Sequence, residues 1–328
     1  MKVNIKSFGR IGILMGGISS EREISLKSGR AVFDALLRRG CDVVAIDITD
    51  KNSENVLAQV FKNQIDVAFL TLHGRFGEDG TIQLILEEEG IPYTGCGVEA
   101  SRRAIDKIIT QTLLKENGIN VASHVIVEGK KNVELSFVLE QLGRFPVVIK
   151  PSREGSSIGI TIAYDEKEFK EGIDLAFGFD ERILIEKYIE GREMTVGIFD
   201  EEPLPVVEIC PQGDFFDFKA KYQSGTTEYV VPARLSFDVT RSLQGIALEV
   251  YKILGCSSIA RVDFNVDREL NPFVLEVNTI PGFTSMSLLP KAASKKGISF
   301  EQLCLRLVEL AYAKKKTGKN PLDSLITH

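Results

Sequence analysis

Two runs of alternating character, residues 257–266 and 273–278, constrain this chain more than any other stretch. In the first, Arg261 and Asp263 fall on one face while Val262, Phe264 and Val266 fall on the other. In the second, the same period puts Glu276 beside Asn278. The polar stretch 267–272 between them reads as a turn, so the pair predicts a hairpin with one apolar face. Once paired, it carries three oxygen-bearing side chains and a guanidinium over an apolar layer. Hard oxygen ligands of this kind suit Mg²⁺, which completes its shell with water and nucleotide phosphate. The same pattern also describes an exposed hairpin with ordinary polar side chains.

Upstream, strands are expected at 10–15, 43–47, 66–70 and 91–94, with helices over 25–39 and 80–89. Strand and helix alternating at this spacing predict a mostly parallel sheet covered on both faces. A second unit reads as a helix over 106–116, a strand over 123–127, a helix over 133–142 and a strand over 146–150. A polar loop, a strand over 158–163, a helix over 166–176 and a strand over 182–187 complete it. A third unit opens with a strand over 192–199 and holds a long loop over 211–230, a helix over 239–254, the hairpin and a last helix over 300–315. The expected domains are therefore 1–100, 101–187 and 188–328.

The formal net charge of -6 comes without a long basic block, which argues against nucleic-acid binding. No run of about 18 apolar residues is present, so no segment is expected to span a membrane. The start lacks the apolar block of a signal peptide. The 5 cysteines are widely spaced with no CxxC, as expected of reduced thiols in a cytosolic protein.

Two loops have the composition of anion sites. Residues 150–159 couple Lys150 to Ser156 and other small residues whose amides and hydroxyls can wrap a phosphate, or form a plain turn beside a solvated lysine. Residues 15–23 place glycines before a helix, leaving its N-terminus open to a negative group. Glu21 there either complements the helix dipole or meets an ammonium. Glu186, beside Lys187 at a strand end, can accept two ribose hydroxyls or form a surface pair. His73 follows the strand over 66–70, where α/β proteins place ligands, and can touch substrate. The loop over 211–230, aromatic and charged, suits a lid that excludes water. The Gly282 amide can face an oxyanion, or simply belong to a turn. No Ser–His–Asp or Cys–His arrangement stands out.

Taken in order, Gly16-Gly-Ile-Ser-Ser-Glu-Arg-Glu23, His73-Gly-Arg-Phe-Gly-Glu-Asp-Gly80, Lys150-Pro-Ser-Arg-Glu-Gly-Ser-Ser-Ile-Gly159 and Glu186-Lys-Tyr-Ile-Glu-Gly-Arg-Glu193 resemble the D-alanine–D-alanine ligases of the ATP-grasp family. Lys219-Ala-Lys-Tyr222, Ala260-Arg-Val-Asp263 and Glu276-Val-Asn-Thr-Ile-Pro-Gly282 extend the resemblance over essentially the whole chain. It implies an α/β, three-domain ATP-grasp fold, with an N-terminal parallel-sheet domain and ATP held between the central and C-terminal domains. It also implies a cytoplasmic homodimer that makes D-alanyl-D-alanine for peptidoglycan through an acyl phosphate, with no nucleic-acid or membrane partner. Matched position by position, the metal ligands fall on Asp263, Glu276 and Asn278, holding two Mg²⁺, with Mn²⁺ able to substitute. Lys107 and Lys150 match phosphate contacts, Glu186 and Lys187 ribose and adenine contacts, and Glu193 a further nucleotide-side carboxylate. Lys221 matches the group on the transferred phosphate. Glu21, linked to Ser156 and Tyr222, matches the seat of the first D-alanine's ammonium. Arg261 and the Gly282 amide match the oxyanion site, and Ser287 and Leu288 flank the second substrate's carboxylate. The nearest rival is ligation of D-lactate through a hydroxyl nucleophile. Tyr222 after Lys221 resembles the dipeptide-forming pattern instead.

Overall fold

The computed structural model describes residues 8–130, 133–211 and 227–317. Three sheets divide the chain. The first is parallel, in the order β2-β1-β3, from β1 (Arg10–Gly16), β2 (Asp42–Ile48) and β3 (Val67–Leu70). Six of the seven residues of β1 are buried, because a central parallel strand is covered by helices on both faces. Those helices include α1 (Arg22–Arg38), α2 (Ser53–Lys62) and α3 (Thr81–Glu88). The expected strand over 91–94 is reduced to one bridge, Ala68 to Tyr93.

Two short helices follow, α4 (Val98–Ile105) and α5 (Lys107–Glu116). They lead to an antiparallel sheet in the order β4-β7-β5-β6, built from β4 (His124–Glu128), β5 (Val147–Pro151), β6 (Thr161–Ala163) and β7 (Arg182–Lys187). Helices α6 (Leu135–Leu142) and α7 (Glu166–Phe177) cover it, and Val138, Ile149, Phe169, Ile183 and Ile185 form a core of its own. The third sheet runs β11-β10-β8-β12-β13, with β9 (Glu202–Pro203) on β8. Its strands are β8 (Gly191–Phe199), β10 (Val207–Pro211), β11 (Thr227–Val230), β12 (Ile259–Asp267) and β13 (Pro272–Asn278). Three helices complete the unit: α8 (Phe237–Ile253), α9 (Leu288–Lys295) and α10 (Phe300–Thr317).

One apolar core crosses from the first sheet to the third, joining Ile13, Val32 and Phe69 to Phe199, Ile259, Phe283 and Val308. Ala100, Ala104 and Leu114 of α4 and α5 pack with Val196, Val262 and Val277 of the third sheet. The second sheet therefore has a separate core. No described helix is long and apolar enough to cross a membrane. All 5 cysteines are free thiols.

Candidate active site

A cleft of about 870 Å³ lies between the second and third sheets. Its wall brings together Lys107, Lys150, Glu186, Lys187, Glu193, Arg261, Asp263, Glu276, Gly282, Ser287 and Leu288.

The hairpin forms as its period predicts, with Arg261 opposite Asn278 and Asp263 opposite Glu276. Strict alternation then fails. Phe264 pairs with Val274, so Leu275 is an extra residue on β13, and this bulge turns it into the cleft wall. Asp263 accepts from Arg261 Nε and Nη2, each at 2.8 Å, from Asn278 Nδ2 at 2.9 Å and from Thr195 Oγ1 at 2.6 Å. Glu276 Oε2 lies 3.3 Å from Lys107 Nζ. Among the described residues no group of three or more His, Cys, Asp or Glu makes a metal cage alone. The oxygens of Asp263, Glu276 and Asn278 nevertheless fit a hard divalent cation. They share one face, Asn278 keeps its carbonyl oxygen, and water and phosphate would supply the remaining ligands.

The two lysines are fixed by local chemistry. Asp106 caps α5 by accepting from Ile108 N at 3.1 Å and Ile109 N at 3.3 Å. It also receives Ser152 Oγ at 2.6 Å and the Arg182 guanidinium, tying the helix start to the second sheet. Lys107, the next residue, is thereby held in the cleft, where Nζ donates to the Glu154 carbonyl at 2.5 Å. Lys150, next to last in β5, has Nζ 2.7 Å from Glu186 Oε1, and both side chains are buried. Gln111 Nε2 donates to the same oxygen. Glu186 is thus the ion-pair partner of Lys150, a role that its reading toward ribose did not include.

Glu21 occupies the N-cap position of α1 but makes no capping bond. Its buried carboxylate instead accepts from Ser156 Oγ across the seam between units. Ser156 has φ 51°, a left-handed conformation within the loop that follows Lys150. Gly74, at φ 70°, leaves room for this carboxylate, since a Cβ there would stand 2.7 Å from Glu21 Oε2. A buried carboxylate turned from its own helix toward another unit matches the ammonium alternative better than the dipole one.

His73 is buried and does not line the cleft. Its Nε2 is 3.2 Å from Ser28 Oγ, and the ring also bonds the Ile280 backbone. Burial lowers the imidazole to about 4, so it is neutral at physiological pH. Lys221 and Tyr222, with most of the expected lid, lie outside the described residues.

Sequence reasoning missed Glu78. Its Oε2 accepts from Gly74 N at 2.7 Å and its Oε1 from Ile280 N at 3.2 Å. Burial, with the Glu21 carboxylate nearby, pushes the Glu78 carboxyl up to about 8. The one available signal was an acidic residue in a Gly-rich turn after a parallel strand, where helix capping is the simpler account.

In sequence and overall fold the chain is similar to known proteins. The family model for the D-ala D-ala ligase C-terminus matches residues 113–309, and that for the N-terminus matches residues 49–96. The D-alanine–D-alanine ligase of Geotalea uraniireducens is 46% identical over 308 residues, covering 93% of this chain and 96% of that protein. That of Syntrophotalea carbinolica is 44% identical over 307 residues, covering 93% and 97%. The crystal structure of the Bacillus anthracis D-alanine–D-alanine ligase has a TM-score of 0.85 at 36% identity, covering 95% of this chain and 100% of that one. The same enzyme complexed with ATP gives 0.83 at 34% identity, with the same coverage. A D-Ala:D-Ser ligase from Enterococcus faecalis gives 0.78 at 30% identity, covering 92% and 99%. With both family models matched and relatives aligned over nearly its whole length, this chain belongs to the D-alanine–D-alanine ligase family.

Proposed function

We propose that this chain is an ATP-dependent ligase that joins two D-alanine molecules into D-alanyl-D-alanine, a peptidoglycan precursor, releasing ADP and phosphate. The observation that carries it is a single seam of the molecule. Buried Lys107 and Lys150 line the cleft with Asp263 and Glu276, Asn278 bonds Asp263, and Glu21 and Ser156 meet beside them.

A carboxylate is a poor electrophile and must first be activated. The first D-alanine carboxylate attacks the γ-phosphorus of ATP, and the bond to the ADP oxygen breaks. This gives D-alanyl phosphate and ADP. Lys107 and Lys150 bind the phosphates, with Glu186 holding Lys150 in place. Lys187 and Glu193 serve the nucleotide's ribose and base side. Asp263, Glu276 and Asn278 would hold Mg²⁺, or Mn²⁺ in its place, which when bound offsets phosphate charge. Glu21 holds the first substrate's ammonium, with Ser156 and Tyr222 ordering it, and Lys221 attends the transferred phosphate. In the second step the amine of the other D-alanine attacks the acyl carbon, loses a proton, and expels phosphate. Arg261 and the Gly282 amide hold the tetrahedral oxyanion. Ser287 and Leu288, at the N-terminus of α9, receive the second substrate's carboxylate. The same reading includes a homodimer, a cytoplasmic location, and working units at 1–100, 101–187 and 188–328.

The likeness to a D-Ala:D-Ser ligase makes the second substrate the point to test. Incubation with ATP, D-alanine and equal D-serine or D-lactate should yield D-alanyl-D-alanine as the dominant product. A dominant D-alanyl-D-serine or D-alanyl-D-lactate would overturn the choice of second substrate.

A further inference from the structure

The segment carrying the Gly282 amide is pinned by three side chains of the first unit, each some two hundred residues away in sequence. Glu78 Oε1 accepts the Ile280 N–H at 3.2 Å. The His73 ring also meets the Ile280 backbone. Ser28 Oγ accepts the Phe283 N–H at 3.2 Å and lies 3.2 Å from His73 Nε2. Between these points Pro281 has no N–H, so the Gly282 amide is the next donor the chain offers after Ile280. Glu78 is the member that reaches furthest. Its other oxygen holds Gly74 N at 2.7 Å, and Gly74 is the residue that leaves space for the Glu21 carboxylate.

We propose that Glu78 is a positioning residue for the second half-reaction, fixing the Gly282 amide relative to Glu21. The inference rests on the ligase reading above. Glu21 fixes the first substrate's amino end, and Gly282 must meet the oxygen on the same molecule's carbonyl carbon. Glu78 holds the Ile280 N–H on one side and, on the other, the N–H of Gly74, the glycine that abuts the Glu21 carboxylate, and so ties the positions of those two seats together. An error of about 1 Å in such a placement can cost on the order of a hundredfold in rate. Activation of the carboxylate by ATP does not use the Gly282 amide, so loss of Glu78 separates the two steps.

The test is the ratio of dipeptide formed to ADP released, measured with Glu78→Gln and Glu78→Ala at saturating ATP, Mg²⁺ and D-alanine. The wild type should give one dipeptide per ADP. The variants should lower dipeptide kcat about 10- to 100-fold. Their KM for ATP should stay near wild type, and their dipeptide per ADP should fall clearly below one as unprotected acyl phosphate is hydrolysed. Ser28→Ala, which releases the same segment at Phe283, should show the same lowered ratio and supplies the test if the Glu78 variants do not fold. An unchanged ratio in every folded variant overturns the proposal, as does a loss of ATP affinity in step with rate. Absence of D-alanine-dependent ADP release from the wild type would instead overturn the ligase reading itself.

Discussion

Glu21 shows how a single side chain departs from its local role. A glutamate at a helix start ordinarily answers the helix dipole, yet this one makes no capping bond and crosses to Ser156. In the proposed ligase this carboxylate is the seat of the first substrate's ammonium. Glu21→Gln should therefore weaken D-alanine use by about 2 kcal/mol, or roughly 30-fold in kcat/KM, with ATP binding retained. Calorimetry with each substrate checks this, and lost ATP binding with intact D-alanine binding would assign Glu21 to the wrong ligand. Glu78 makes a second prediction, about stability. Its carboxyl is raised from an ordinary 4.5 to about 8, so between those values the native state holds a proton that the unfolded chain has lost. That contribution is complete below 4.5 and is lost as pH rises through about 8. His73 acts oppositely, because its pKa falls from 6.5 to about 4 and its contribution is lost as pH drops through that window. As pH rises past 6.5 the unfolded histidine also loses its proton, and because His73 is present in both proteins its contribution cancels when wild type is compared with Glu78→Gln. Urea unfolding across the range from 6.5 to about 8 should show wild-type stability declining more steeply than that of Glu78→Gln. Parallel slopes would contradict a protonated Glu78.

At the scale of elements, α5 is the strut that places Lys107. Asp106 caps it, receives Ser152 and pairs with Arg182, so one carboxylate joins the helix to the second sheet. Asp106→Ala removes the cap and strands a partly buried arginine, and should destabilise the protein by on the order of 3 kcal/mol. A loss under about 1 kcal/mol in chemical denaturation would show the strut to be dispensable. The hairpin face was legible in the sequence because a period of two is a local property of the strand. Its bulge at Leu275 was not, since a register shift depends on the partner strand. Helix α9 escaped notice because Pro290 in its first turn reads as a breaker, although a proline there loses only an N–H that has no helical partner. Helix α4 escaped because Asp106, extended at ψ 101°, splits one polar stretch into two helices. Most of the site residues were found through family resemblance rather than spacing. Glu78 and Ser28 were not, because their bonds to Ile280 and Phe283 span more than two hundred residues and leave no local pattern.

The molecule as a whole is arranged around one seam. The first and third sheets share an apolar core, whereas the second sheet is packed on its own core and joined to them through Glu21–Ser156, Arg75–Glu154 and Asp106–Arg182. Polar groups that hold the units together are also suited to holding charged substrates, so the candidate phosphate, metal and ammonium sites collect along this seam. The function proposed for this seam is phosphoryl transfer from ATP to an amino acid whose amino end Glu21 would hold. The most direct measurement is ADP release in a coupled assay containing ATP and Mg²⁺, with D-alanine and L-alanine compared. The account predicts rapid, D-alanine-dependent ADP release matched by D-alanyl-D-alanine, and little release with L-alanine. Equal release with both enantiomers, or none with D-alanine, would contradict it.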